Sequence, residues 1–214
     1  QWQAQKSTIN KLANPNLDWE KLSMWQVGLD FDFCRDFSIS ATVYGRQSYD
    51  VIVDAGSIVP KVFGISGPTV YANVTSNKTL GYELSLGWRH SFGDFTVFAA
   101  ANACHWNTVY NKLLSDDYLY DYQKRTGTSI HNIRGLECIG KYETLEQVQT
   151  VPSYSTVTIG DLMYKDQNND GKIDSNDEVV IGNSQPDLRY SVRLGFEYKG
   201  LSLELIGSGK TGYD

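Results

Sequence analysis

The sequence lacks any apolar run near the 18 or so residues of a membrane helix, which excludes helical spans. Membrane strands stay open as a reading, because their apolar residues alternate with polar ones. Basic charge is also scarce: 19 Lys and Arg stand against 25 Asp and Glu, giving a net charge of -6 and no basic patch. Nucleic acid is therefore excluded as an expected partner. Only three cysteines occur, Cys34, Cys104 and Cys138, too far apart and too few for a zinc pattern or a disulfide framework. The three histidines, His90, His105 and His131, share no metal-ligand spacing. No Ser/His/Asp set or carboxylate pair stands out, and Asp30 with Asp32, or Asp116 with Asp117, read as structural charges. An enzyme is not expected, and no catalytic residue is assigned. The tail GSGKT at 207–211 is no phosphate loop, since Glu204 stands where glycine is needed and no helix follows. The sequons at Asn73 and Asn77 are read as chance tripeptides.

What the chain does have is aromatics, 13% of residues with 14 tyrosines, and period-two alternation. Trp25, Val27, Leu29, Phe31 and Phe33 alternate with Gln26, Gly28, Asp30 and Asp32; a turn at Cys34 to Asp36 leads into Phe37, Ile39, Ala41 and Val43. Leu80, Tyr82, Leu84, Leu86 and Trp88 repeat the plan, turning at Ser91 to Asp94 into Phe95, Val97, Ala99 and Ala101. Leu188, Tyr190, Val192, Leu194, Phe196 and Tyr198 repeat it again, turning at Lys199-Gly200 into Leu201, Leu203 and Leu205. Three hairpins are expected, at about 22–49, 80–106 and 187–208. A connection over 50–79, rich in Gly and Pro, separates the first two, with some of it able to extend the strands. A polar excursion over 107–186 precedes the third, and loops beyond about 15 residues are usually functional or disordered.

Inside that excursion lies the most specific spacing in the chain. Counting from Asp166, side-chain oxygens recur at Asp166, Asn168, Asp170, Asp174 and Asp177, with Gly171 in sixth place, the carbonyl of Lys172 in seventh and Ile173 in eighth. A calcium loop of the EF-hand type needs hard oxygen donors at places 1, 3, 5, 7, 9 and 12 and a glycine where the chain bends. Structural Ca2+ is therefore expected on the loop 166–177. The flanks GDLMYK and EVVIGN do not read as helices, so the loop resembles those of dockerin-like and other extracellular modules. The competing reading is an Asn/Asp-rich turn bonded only to its own backbone.

Short turns at residues 34, 92 and 200 share one end, and long excursions share the other, which is the plan of an outer-membrane barrel. Asp30, Asp32, Glu83, Arg89, Arg193 and Glu197 on the polar face fit a wet lumen, because unpaired buried charge is costly. Trp25, Trp88, Tyr190 and Tyr198 near strand ends fit aromatic girdles. The expected fold is all-β, a segment of a large antiparallel transmembrane β-barrel. The alternative is an antiparallel sandwich with one face in water. The chain has no initiator Met and stops in mid-pattern at GKTGYD, and is expected to be cut from a longer protein.

The ordered set NPNLDWEK, VGLDFDF, NKTLGYELSLGWR, YDYQKRTGTSI and GDLMYKDQNNDGKIDSNDEVVIGNSQPDLRYSVRLGFEYKGLSLEL resembles the C-terminal barrel region of SusC-like TonB-dependent transporters of Bacteroidetes outer membranes. The tract 135–159 departs from that pattern, and the plug domain, the TonB box and the final strand are absent. The resemblance implies one barrel domain over 1–214, of roughly 22 strands in the whole protein. It implies energised import of glycans or peptides, with a SusD-like surface lipoprotein as lid and TonB acting through the missing plug. The calcium loop would then be extracellular. A rival of another class is a secreted calcium-dependent β-rich binding or adhesion module; a dockerin would need a second acidic loop with helices, and only one loop is present. A glycoside hydrolase would need two carboxylates in one cleft. Trp106, Tyr110, Tyr118, Tyr120 and Tyr122 are candidates for stacking on sugars or for packing among themselves; substrate residues are otherwise unassigned.

Overall fold

A computed structural model describes residues 11–56 and 69–214. Alternation becomes one six-stranded antiparallel sheet. Its strands are β1 (Lys21–Phe33), β2 (Phe37–Asp54), β3 (Tyr71–Phe92), β4 (Phe95–Lys112), β9 (Leu188–Tyr198) and β10 (Leu201–Thr211), neighbours in that order. Between β4 and β9 the excursion carries β5 (Asn132–Leu136), β6 (Cys138–Lys141), α1 (Leu145–Thr150), β7 (Leu162–Tyr164) and β8 (Glu178–Asn183).

The turn residues account for the short ends. Lys199 and Gly200 both have positive φ, 45° and 86°, the pairing a two-residue hairpin of matching twist demands. Gly93 takes φ 62° at the first place of the Gly93-Asp94 turn, where a side chain would be strained. All three turns lie on one edge of the sheet because each strand is antiparallel to its neighbour.

Register keeps like with like. The row Phe31, Ile39, Leu86, Ala101, Val192 and the next row's Ser85, Asn102, Ser191 lie on opposite faces. One face is therefore oily from edge to edge and the other polar. Yet among the described residues nothing covers the oily face: Val27, Leu29 and Leu205 are 68%, 66% and 65% exposed. The only buried apolar residues among those described are Ala55, Tyr142 and Ile173. A continuous apolar face of this extent requires an apolar surrounding, and a sandwich partner sheet is not found among the described residues.

The strands are longer than alternation indicated. The connection expected over 50–79 is strand up to Asp54 and again from Tyr71; Pro60, Gly64, Gly67 and Pro68 lie outside the described residues. These extensions were illegible because period two is broken there: Val51, Ile52 and Val53 stand in succession and the register shifts on either side of Val51. A bulge lies near Asp50 (φ 54°), and Asn73 bridges the carbonyls of Asp18 and Asp50 at 2.7 and 2.8 Å. Apolar alternation runs from Trp25 to Phe33, roughly 26 Å of strand. It is bounded at the turn end by Phe37, Trp88, Phe95 and Tyr198, whose rings meet at centroid distances of 6.3–6.4 Å.

The excursion is also more ordered than its sequence suggested. β5 pairs with β8, β6 with β7, and the chain returns to the upper end of β4 through Gly127 N to Tyr110 O at 2.7 Å and Ile130 N to Thr108 O at 2.9 Å. Helix α1 starts at a reciprocal cap between Thr144 and Gln147.

Candidate functional site

The acidic loop 166–177 joins β7 to β8. Asp166 Oδ1 accepts Asn169 N at 2.6 Å, and its Oδ2 accepts Gly171 N at 2.8 Å. Those bonds fold the chain through two positive-φ residues, Asn169 at 60° and Gly171 at 83°, the first a residue type that tolerates this region and the second glycine. Ile173 then turns inward, 4% exposed, and anchors the loop from below. Asp177 is fully buried, its two oxygens accepting Gln167 N and Asp174 N, both at 2.9 Å. Asp174 caps the turn Ser175–Asp177 through Asn176 N at 2.7 Å. Asp170 accepts Lys172 N at 2.9 Å and Asn168 Nδ2 at 3.0 Å.

Four carboxylates thus share twelve residues, and none of them meets a Lys or Arg in an ion pair among the described residues. Burial, and next the negative field of Asp177 with Asp166 and Asp170 behind it, push the Tyr122 phenol above its ordinary range. Tyr122 donates to Asn176 O at 2.7 Å and stacks on Tyr120 at 5.3 Å, so this pair braces the loop. Among the described residues no three Asp, Glu, His or Cys side chains are gathered into a ready cage. The carboxylates face the loop's own amides; Asp166 Oδ1 accepts two of them, from Asn169 and Asp170, while Asp166 Oδ2 and both oxygens of Asp177 accept one each and keep a lone pair for a cation. By donor chemistry Asp166, Asn168, Asp170, Asp174, Asp177 and the Lys172 carbonyl fit a hard dication.

The polar face of the sheet forms the second candidate surface. Arg89 on β3 pairs with Glu197 on β9 at 2.7 Å, and Arg193 reaches Glu204 on β10 with Nη2 to Oε2 at 3.0 Å. Both guanidiniums lie over the Phe98 ring, at 5.5 and 5.2 Å from its centroid. Phe98 is a polar-face residue that alternation alone did not single out. Its signal was Gly195 opposite: a Cβ there would stand 2.3 Å from the ring. Asp30 and Asp32 lie on the same face in β1, outside this network. Trp106 also belongs to this face, under Arg189 at 3.8 Å, rather than to a loop. The sequence had grouped it with Tyr110, Tyr118, Tyr120 and Tyr122; the structure separates it from the Tyr120–Tyr122 stack.

Six strands with tight turns on one edge, long connections on the other, an uncovered oily face and an ion-paired polar face make up the wall of a transmembrane β-barrel. The sheet is open at β1 and β10, as a wall segment is. The chain belongs to the family described as TonB dependent receptor-like, beta-barrel, which matches residues 3–213. It is 24% identical over 220 residues to the TonB-dependent receptor P26 of Formosa agariphila, covering 96% of this chain and 22% of that protein. It is 22% identical over 243 residues to the TonB-dependent receptor P39 of the same organism, covering 95% and 23%. The fold is shared with the RagAB peptide importer. In the open-open state the TM-score is 0.70 at 24% identity, over 95% of this chain and 22% of that one. In the closed-closed state it is 0.67 at 23% identity, over 96% and 23%. The chain spans under a quarter of the length of these relatives.

Proposed function

We propose that the whole protein is the barrel of an outer-membrane importer energised through TonB, working with a SusD-like surface lipoprotein that delivers an oligosaccharide or peptide. The observation that carries this reading is the pairing of an uncovered oily face with a charged, ion-paired face on the same strands. The oily face meets lipid, and the other lines a wet passage. The solved neighbours are described as peptide importers, which favours a peptide on the strength of fold alone.

In this reading the turns at Cys34–Asp36, Gly93–Asp94 and Lys199–Gly200 face the periplasm. The excursion stands outside the cell against the lid. Ca2+ on Asp166, Asn168, Asp170, Lys172, Asp174 and Asp177 stabilises the ordered excursion, because an ion bound only by the folded loop adds stability by mass action. Import makes and breaks no bond in the solute, and no catalytic group is needed. Fractionation of cells holding the full-length protein tests the reading. Extraction from the outer membrane only by detergent, together with a lipoprotein partner, is expected; release into buffer alone would defeat it.

A further inference from the structure

Of the three arginines on the polar face of β3 and β9, Arg89 and Arg193 are ion-paired and Arg189 has no ion pair among the described residues. Arg189 sits at the excursion end of β9, over the Trp106 ring, with its Nη1 buried and lacking an acceptor among the described residues. Its direct cross-strand neighbour on β10 is Lys210, a second cation without an ion pair among the described residues. Like charges placed opposite each other on one face repel, so this pairing is disfavoured unless an anion lies between them.

The surroundings leave room for one, with hydroxyl and amide donors beside the cation. A cleft of about 350 Å³ borders Arg189 and is lined on the polar face by Glu83, Ser85, Asn102, Cys104 and Ser191. Glu83, the carboxylate on this row, lies two strands away across Cys104 and makes no ion pair among the described residues. One row further toward the excursion, Tyr44 lies over Gly81, which pairs with Trp106, so a ledge of two aromatics frames the cation. Gln185 Nε2 holds the Trp106 carbonyl at 2.6 Å and fixes the ledge.

We propose that Arg189, with Lys210 beside it and Trp106 beneath it, is a lumen site for a carboxylate at the outer mouth of the barrel. A planar guanidinium takes a carboxylate through two parallel hydrogen bonds, and stacking on Trp106 pre-orients that fork. The proposal rests on the polar face being the lumen. Two sources supply the same chemistry: an Asp or Glu of the plug, or a free carboxylate on the imported solute.

The test uses the full-length protein with its partner, purified in detergent, by electron cryomicroscopy, and by retention of a tetrapeptide library with free C-terminal carboxylates against the same library amidated. A plug carboxylate on Arg189 supports the internal source. Free acids retained at least tenfold over amides, and equalised by Arg189→Gln with Lys210→Gln, support the solute. Outer-membrane level and heat-modifiability show that the double variant still folds. Density placing only water or a neutral carbonyl on Arg189, with no discrimination between the libraries, would overturn the site. A protein that folds in the membrane but imports nothing would defeat the import reading, while the density at Arg189 still decides this one.

Discussion

In the six-stranded sheet the large apolar side chains point outward, Leu194 half exposed and Val27 at 68%, whereas between β4 and β9 the excursion seals Tyr142 and Asp177 at 1% and 0%. The same chain uses two solvents. Strand residues of β2, β3, β4 and β9 pair their ladder groups with neighbours on both sides and leave their oil to lipid, which is the condition for crossing a bilayer without helices. The excursion folds as water-side proteins do, around a few buried groups with polar bonds closed locally: Tyr142 donates to Pro152 O at 2.9 Å, and Arg134 to Tyr122 O at 3.1 Å. On the polar face of the sheet Arg89 and Arg193 are ion-paired across strands, whereas in the acidic loop four carboxylates stand against the single cation Lys172.

The contrast is most sharply broken on the sheet. Leu194→Arg, at mid-height on the oily face, is expected to destabilise the full-length barrel by about 2–4 kcal/mol in lipid vesicles. Ser191→Arg, on the polar face of the same strand, is expected to cost less than about 1 kcal/mol in the same urea titration. Equal costs would show that the two faces meet one solvent. In the excursion, Asp177→Asn is expected to cost about 1–3 kcal/mol of local stability, since a buried carboxylate serving two amides is lost. Calcium-dependent protection of 166–177 from protease is expected to vanish with it, and protection unchanged by chelator in the native protein would leave the loop a plain polar turn. Gly195→Ala tests the sheet's packing: its Cβ would meet Phe98 at 2.3 Å and Leu203 O at 2.7 Å, so a loss of about 1–3 kcal/mol is expected by the same titration. Tyr122→Phe, which removes the bond to Asn176 O, is expected to cost about 0.5–1.5 kcal/mol, read as faster amide exchange at 175–177 only.

The smallest effect is that of pH. Burial opposes ionisation of Asp116, but the amides of Arg125 and Thr126 outweigh it and hold the carboxyl below its usual range. Gln167, and then Lys165, do the same for Glu137. A lowered folded value contributes stability that is present above the unfolded pKa and lost as pH falls through the folded one. Exchange at residues 113–141 is therefore expected to rise below about pH 4 and to stay flat between about pH 5 and 8. A change centred near neutrality would point to a histidine instead.

The oily strands were legible because one face is lipid, so period two survives undiluted from Trp25 to Phe33 and from Leu188 to Tyr198. Where the strands run on, at Val51–Asp54 and Tyr71–Thr79, three apolar residues stand in succession on one strand, polar ones dominate the other, and the register shifts at a bulge, so the period vanishes and the sequence read there as connection. The acidic loop was legible as spacing, since Gly171 and Ile173 stand where a bend and an anchor must be. Its braces were not, because Tyr122 and Gln123 come from more than fifty residues away. Helix α1 carried its own sign, Thr144 with Gln147 three residues on, and was passed over because no apolar periodicity follows so short a turn. The isolation of Arg189 was invisible for a plainer reason: alternation assigns a face, while only register reveals that its neighbour is Lys210 and not a carboxylate.

The most direct measurement is cysteine accessibility in cells carrying the full-length protein, with Cys34, Cys104 and Cys138 replaced by Ser. Single variants Leu194→Cys and Tyr154→Cys would be treated with a membrane-impermeant maleimide and, after reconstitution, with a lipid-borne quencher. Position 194 is expected to resist the maleimide and respond to the quencher, and position 154 to label at the cell surface with no response. Rapid aqueous labelling at 194 would contradict the account and return the oily face to a protein partner in water.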